Sequence, residues 1–242
     1  MKTLIAALGL LFCFCGTLQA SEREDAFVRA NVLAILYHEL GHALIDVLAL
    51  PVFGQEEDAA DVLSVLLIDA LYDEEEATDI IYDAAFGFLG EAEENAPAYW
   101  DVHGPDLQRY YTMICLFYGA SPDVRADLAR ELDLPDERAE TCEEEFELAS
   151  DSWGPVLDDI AAQGDAQSMV YRGPRDTLIG ETMAGEVAAL NTDFELPDEV
   201  EMVVEDCGEA NGFYDPGIRR ITICIELDSY LRTLADSCPV RC

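Results

Sequence analysis

The five residues from His38 to His42 constrain this chain more than any other segment. They read His-Glu-Leu-Gly-His and lie in a run of apolar, helix-compatible residues that ends at Pro51 and Gly54. Side chains four positions apart project from the same face of a helix, with Cβ atoms about 5–6 Å apart. The two imidazoles can therefore reach one metal ion from the same side. Glu39 lies about 100° further round the helix, where it can take a proton from water beside that ion.

Two histidines at this spacing, with a glutamate after the first, form the pattern that zinc-dependent peptidases use. In such sites the ion takes three protein ligands and keeps one position open for water. The sequence therefore predicts a Zn²⁺ ion bound by His38 and His42, with Glu39 as the general base that hydrolyses peptide bonds. The alternative is a non-catalytic exported protein that binds zinc or another protein. A purely structural zinc site, however, has no need of an acid at Glu39.

The third zinc ligand is expected downstream of the histidines. The metzincin extension is excluded, because it would place glycine and histidine where the chain has Ile45 and Leu48. Glu57 and Asp61 instead lie four apart at the start of a second helix, a spacing that resembles the gluzincin arrangement. That resemblance implies Glu57 as the third ligand and Asp61 as the carboxylate that orients His38. Asp61 stays open as the ligand, since the interval after the histidines is shorter than in thermolysin-like enzymes.

The other candidate residues follow from the needs of peptide hydrolysis. Glu56 and Asp58 are explained by the start of a helix, whose dipole favours negative charge. A zinc peptidase also needs a donor for the oxyanion that forms at the scissile carbonyl. His103 is the one histidine outside the pentapeptide, and we predict it as this catalytic donor. Arg109 could serve instead, or could pair with one of the many acids.

The first twenty residues predict export. A lysine at position 2, an apolar run over residues 4–14 and a small-residue cleavage site before Ser21 have the order of a secretory signal peptide. The apolar run is too short to span a bilayer comfortably. We therefore expect residues 1–20 to be removed and residues 21–242 to form one metallopeptidase-like domain. Its location would be periplasmic or secreted, without stable membrane insertion.

The cysteines agree with an oxidising compartment. Six of the eight lie beyond the predicted signal peptide. An even number in an exported chain indicates disulfide bonds rather than free thiols. Proximity in the sequence favours the pairs Cys115–Cys142, Cys207–Cys224 and Cys238–Cys242.

The charge excludes several kinds of partner. Acidic residues number 51 against 13 basic ones, and the formal net charge is −38. Nucleic acids and anionic membranes need a positive surface, so neither is an expected partner. A generally solvated acidic surface is the simplest explanation of the charge. The expected partner is a peptide or protein substrate, and the sequence carries no signal for an oligomeric state.

The remaining periodicity predicts a mainly α (α+β) fold, a zincin-like helical domain whose active-site helix spans residues 27–50. Further helices are predicted over residues 56–71, 74–90, 106–118, 122–132, 135–149, 154–162 and 177–190. Residues 163–176 are predicted as a loop. The pattern changes to β-branched alternation over residues 199–207 and 218–227, which predicts a small C-terminal β-hairpin around a Gly-Phe-Tyr-Asp-Pro-Gly turn.

Several stretches of the chain resemble a family of exported bacterial zinc metallopeptidases. Besides the pentapeptide, the similar segments are residues 43–46, 50–61, 106–111, 114–115, 142–146, 207–216 and 223–227. The resemblance covers nearly all of the chain beyond the predicted signal peptide and implies a zincin-like peptidase. Gly212 and Ile225 depart from the alanine and tyrosine expected there, and neither belongs to the predicted site.

Overall fold

The computed structural model describes residues 11–164 and 166–237. The helices in this part of the chain are α1 (Leu11–Val47), α2 (Glu56–Leu71), α3 (Glu74–Glu94), α4 (Asp106–Ala120), α5 (Pro122–Glu131), α6 (Asp136–Ala139), α7 (Cys142–Asp159), α8 (Leu178–Asp193) and α9 (Leu227–Ser237). The strands are β1 (Met169–Arg172), β2 (Val200–Glu205), β3 (Gly212–Asp215) and β4 (Arg220–Cys224). The predicted mainly α (α+β) class is confirmed.

Helix α1 is the centre of the fold. From Phe27 to Ile45 nearly all of its side chains are buried, and the buried ones face every direction around the helix. A helix that is apolar all round must be enclosed by other elements. Helices α2, α3, α8 and α9 and strands β3 and β4 all pack against it. The pentapeptide therefore lies in the interior, with His38 and Glu39 each only 7% exposed.

The four strands form one sheet in the order β1-β2-β4-β3. Strands β1, β2 and β4 run parallel, whereas β3 runs antiparallel to β4. Helix α8 is the crossover between β1 and β2, as parallel neighbours require. Three consecutive β4 residues, Ile221, Thr222 and Ile223, are all buried, because this strand is covered on both faces.

The sheet differs from the sequence prediction in its pairing. Residues 199–207 and 218–227 do contain strands, but β2 and β4 pair in parallel, so they are not the two arms of a hairpin. The C-terminal hairpin consists of β3 and β4, with Phe213 opposite Thr222. Alternation predicts a strand without its direction, and the glycine and proline around β3 made it look like a turn. Strand β1 lies in the segment predicted as a loop, and that prediction is wrong.

The helix predictions need three corrections. The predicted helix over residues 135–149 is two helices, α6 and α7. The separate helix over residues 154–162 is wrong because α7 continues through Pro155 to Asp159. Helix α9 was not predicted; it begins at Leu227, in the segment read as the end of a strand.

Two of the three predicted disulfides are confirmed. Cys115–Cys142 joins α4 to the first residue of α7, and Cys207–Cys224 joins the segment after β2 to the end of β4. The predicted Cys238–Cys242 pair lies outside the described residues. In the part of the chain that the structure describes, no helix combines the length and apolar character that crossing a membrane requires.

The closest approach of α1 to α2 occurs at Gly41. A Cβ atom on Gly41 would lie 2.8 Å from the Cα atom of Ala60, closer than two such atoms can pack. The absence of a side chain at this position thus sets the distance between the helix that carries the histidines and the helix that carries Glu57 and Asp61.

We expect Gly41→Ala to lower the free energy of unfolding by about 1–3 kcal/mol, because the added methyl group must push the α2 backbone away. Gly185→Ala is the matched control, since Gly185 lies on the exposed face of α8 and a Cβ there meets nothing within 4 Å. The control should be neutral or more stable by about 0.5–1 kcal/mol. Denaturant unfolding of both variants measures the difference, and equal stabilities would contradict the packing argument.

Candidate metal centre

Three imidazoles converge on one carboxylate oxygen of Glu57. The Nε2 atoms of His38, His42 and His103 lie 3.1, 3.2 and 2.9 Å from Glu57 Oε2. The Nε2 atoms of His38 and His42 are 3.2 Å apart. Helix α1 supplies the first two histidines, α2 supplies the glutamate, and the loop between α3 and α4 supplies His103. His38, His42 and His103 thus each contact the same carboxylate oxygen of Glu57.

The spacing of these atoms fits a metal ion. Zinc–nitrogen and zinc–oxygen distances of about 2.0–2.1 Å place two ligand atoms of a tetrahedral site about 3.4 Å apart. The triangle formed by His38 Nε2, His42 Nε2 and Glu57 Oε2 has edges of 3.1–3.2 Å. Imidazole nitrogen and carboxylate oxygen are donors that zinc accepts. His38, Glu57 and His103 also form a group whose ligand atoms all lie within 4.8 Å of one another.

Both histidines of the pentapeptide are oriented by carboxylates. His38 Nδ1 lies 2.7 Å from Asp61 Oδ1, the contact expected from the sequence. His42 Nδ1 lies 2.8 Å from Glu56 Oε1. A carboxylate on Nδ1 fixes the ring and leaves the Nε2 lone pair for a metal.

The contact of Glu56 was missed by sequence reasoning, which assigned this residue only to the helix dipole. A signal was available, because Glu56 precedes Glu57 directly and neighbouring positions on a helix are about 100° apart. If Glu57 contacts the Nε2 atoms of the two histidines, then Glu56 projects toward another face of the same pair, where His42 Nδ1 lies. The dipole argument explains why an acid is tolerated there, but it does not identify what the acid contacts.

Arg109 on α4 holds Asp61 in place. Its Nε donates to Asp61 Oδ2 at 2.8 Å and its Nη2 donates to Asp61 Oδ1 at 2.7 Å, a bidentate pair. The guanidinium also lies over the ring of Phe88, 4.4 Å from the ring centre. Of the two roles considered for Arg109, the structure therefore gives pairing with an acid. Both oxygens of Asp61 are engaged, one of them by His38 and Arg109 together.

The charges of the site are strongly coupled. Hydrogen bonds from His103, His38 and His42 hold the pKa of Glu57 far below its usual value. Burial raises the pKa of Asp61, but Arg109 and His38 outweigh burial and lower it to about 2. Burial lowers the pKa of His38, yet its bonds to Asp61 and Glu57 raise it to about 9. The carboxylates thus form an anionic site that protons occupy in the absence of a metal, and a bound dication would release those protons.

Glu39 takes part in none of the hydrogen bonds described above, but it lines the same cavity as His38 and His103. Burial raises the pKa of its carboxyl group. The cavity has a volume of about 540 Å³ and is lined by Glu39, His38 and His103. Its other walls come from α3, the segment over residues 95–106, the first residue of β3 and α9. A carboxyl group that is buried in the protein and still faces a cavity can exchange protons with a molecule bound there.

The family comparison agrees with this arrangement. A helical fold whose central helix presents two histidines to a carboxylate at a cavity has the elements of a metal-dependent hydrolase. A family model described as "Putative metallopeptidase" matches residues 13–157 and 170–237. The chain belongs to this family, and the resemblance found in the sequence is confirmed at that level. No curated protein and no solved structure matches the chain.

Glu56, Glu57 and Asp58 all lie in the first turn of α2 and interact with the same helix dipole. Substituting each in turn therefore separates a specific role at the site from the general effect of an acid at a helix start. We expect Glu57→Gln to remove most of the zinc affinity, since it replaces a charged ligand. Glu56→Gln should weaken binding by about 10–100-fold, the usual effect of losing a carboxylate behind a ligand histidine. Asp58→Asn is the control and should bind like the unaltered protein.

Competition with a chromophoric chelator measures these affinities. The assignment of Glu57 is wrong if Glu57→Gln binds zinc as tightly as Asp58→Asn. In that case Asp61→Asn should show the large loss, and Asp61 would be the ligand.

Proposed function

We propose that this protein is a zinc-dependent peptidase whose metal ion is held by His38, His42 and Glu57. The observation that carries the proposal is the triangle of their ligand atoms, with edges of 3.1–3.2 Å, next to the buried carboxyl group of Glu39. The bidentate pair with Arg109 supports Asp61 as the group that orients His38 rather than as a ligand.

A zinc ion bound there would supply a Lewis acid that lowers the pKa of water and polarises the substrate carbonyl. Glu39 accepts the proton of the attacking water and then gives it to the leaving amine. A raised pKa favours both transfers, because the carboxyl group then titrates nearer to neutral pH. His103 donates a hydrogen bond to the oxyanion. Its hydrogen bond with Glu57 raises the pKa of its imidazole, which favours the protonated form.

The walls of the cavity support a peptide as the substrate. A volume of about 540 Å³ lies within the range of sites that enclose a ligand or a short peptide segment. Asn211 and Gly212, at the start of β3, line this cavity. Strand β3 is the last strand of the sheet, and an edge strand offers unpaired N–H and C=O groups to an extended peptide.

The compartment proposed for this activity is the periplasm or the cell exterior. The disulfides Cys115–Cys142 and Cys207–Cys224 support an oxidising environment. The signal peptide over residues 1–20 and the single domain over residues 21–242 stay predictions from the sequence.

A non-catalytic zinc-binding protein is the alternative considered from the sequence. It gives no role to Glu39, whose burial is unfavourable for a carboxylate that has no function. The peptidase proposal explains why this carboxyl group is buried, why its raised pKa is useful and why it faces the cavity, since a general base needs all three.

We expect Glu39→Gln to lower peptide cleavage by about 10²–10⁴-fold, because the amide cannot accept the proton of water. The variant should still bind one zinc ion per chain, since Glu39 is not among the proposed ligands. Mass spectrometry of a peptide library after incubation with residues 21–242 measures cleavage, and a chelator gives the metal-free control.

The mechanism is overturned if the zinc-loaded Glu39→Gln variant cleaves at the rate of the unaltered protein. Zinc binding followed by no cleavage of any peptide by the unaltered protein would instead favour the non-catalytic alternative.

A further inference from the structure

His103 contacts Glu57, and a residue that only donates a hydrogen bond to the substrate oxyanion would not need this contact. Its Nε2 atom lies 2.9 Å from Glu57 Oε2, the same oxygen that His38 and His42 contact. The rings of His38 and His103 are stacked, with centres 6.1 Å apart and planes inclined by 29°. His103 Nε2 therefore approaches the same oxygen as the two proposed histidine ligands, and His103 forms with His38 and Glu57 a group whose ligand atoms all lie within 4.8 Å of one another.

We propose that His103 is a fourth protein ligand of the metal, and that the loop which carries it thereby closes the coordination position that water needs. This inference rests on the proposed metal site. Zinc sites with four protein ligands are structural, whereas catalytic sites have three and an open position. The site would thus be inactive while the His103 imidazole is bound to the ion and active once it is released.

The segment over residues 95–105, which we call the His103 loop, is suited to such a movement. It connects α3 to α4 and contains no helix or strand. Tyr99, Trp100 and Val102 are 81%, 86% and 62% exposed, so these apolar side chains add little burial energy to the closed position. Segments with few buried apolar contacts open at low free-energy cost.

The hydrogen bonds in the middle of the His103 loop lie within the loop. The Asp101 N–H donates to Ala98 O at 2.9 Å, and the His103 N–H donates to Asp101 Oδ1 at 3.2 Å. These bonds preserve the local shape of residues 98–103 but do not attach it to a helix. The contact of His103 with Glu57 does attach it, since Glu57 belongs to the first turn of α2.

Two positions of the loop then give two states of the site. With the loop closed, His38, His42, Glu57 and His103 surround the ion, and the protein is latent. With the loop displaced by a substrate, three ligands remain and water has access. The imidazole released from the ion is free to donate to the oxyanion, so the two roles of His103 belong to different states.

The coordination number tests this inference without measuring activity. X-ray absorption of the zinc-loaded protein should count three imidazoles in the resting protein and two in His103→Ala. The cobalt-substituted proteins should differ in their visible absorption bands. His103→Ala should also weaken zinc binding by at least about tenfold in competition with a chromophoric chelator.

Trp100→Ala is the matched control, because it alters an exposed side chain of the same loop and should leave imidazole count and affinity unchanged. His103 is 44% exposed at its side chain, so circular dichroism should show that His103→Ala is folded. His103→Gln provides a second variant with a side chain of similar size.

Two imidazoles in the unaltered protein, with unchanged zinc affinity in His103→Ala, would overturn the fourth-ligand inference. The proposed peptidase function would survive that result, with His103 acting on the oxyanion alone. A failure of the unaltered protein to bind zinc at all would instead reject the metal site and the proposed function together.

Discussion

The burial of His38 in a mostly apolar helix is the constraint on which the site depends. A polar side chain in the interior is unfavourable unless its hydrogen bonds are satisfied. Asp61 satisfies Nδ1 at 2.7 Å, and Arg109 in turn neutralises Asp61 with two hydrogen bonds. This chain of contacts links α1, α2 and α4. The positions of three helices are thus coupled to the orientation of one imidazole ring.

The same contacts concentrate negative charge at the site. Burial lowers the pKa of His38, but Asp61, Glu57 and Glu39 bring three carboxylates close to its ring and raise the pKa to about 9. A proton and a zinc ion are alternative ways to neutralise the site. Because burial limits the access of water, the electrostatic attraction is screened less than on the exposed acidic surface. The large net charge of the chain is therefore distinct from the organised charge of the metal centre.

The sequence predicted the parts of the site that depend on helical spacing. His38, His42, Glu57 and Asp61 lie on two adjacent helices joined by a short turn, so local geometry brings them together. The contact of His103 with Glu57 depends on the path of an eleven-residue loop between α3 and α4, for which the sequence has no periodicity. The pairing of β2 with β4 was unpredictable for a related reason, because strand direction is decided by connections and by packing against α1. Local rules predicted each strand segment but not its neighbour.

The roles proposed for Glu39 and His103 require opposite states of the metal site. Glu39 as a general base needs an open coordination position for water, whereas His103 as a ligand fills that position. A permanently closed site with four protein ligands would gain nothing from a buried acid, and an apolar residue at position 39 would stabilise the interior better. In a permanently open site, an imidazole held 2.9 Å from Glu57 Oε2 would serve only the oxyanion. Under the proposed loop movement both residues have a role, because the His103 loop occupies two positions. In this proposal, the low burial of Tyr99 and Trp100 lowers the free-energy cost of displacing the loop, and a bound substrate offsets that cost.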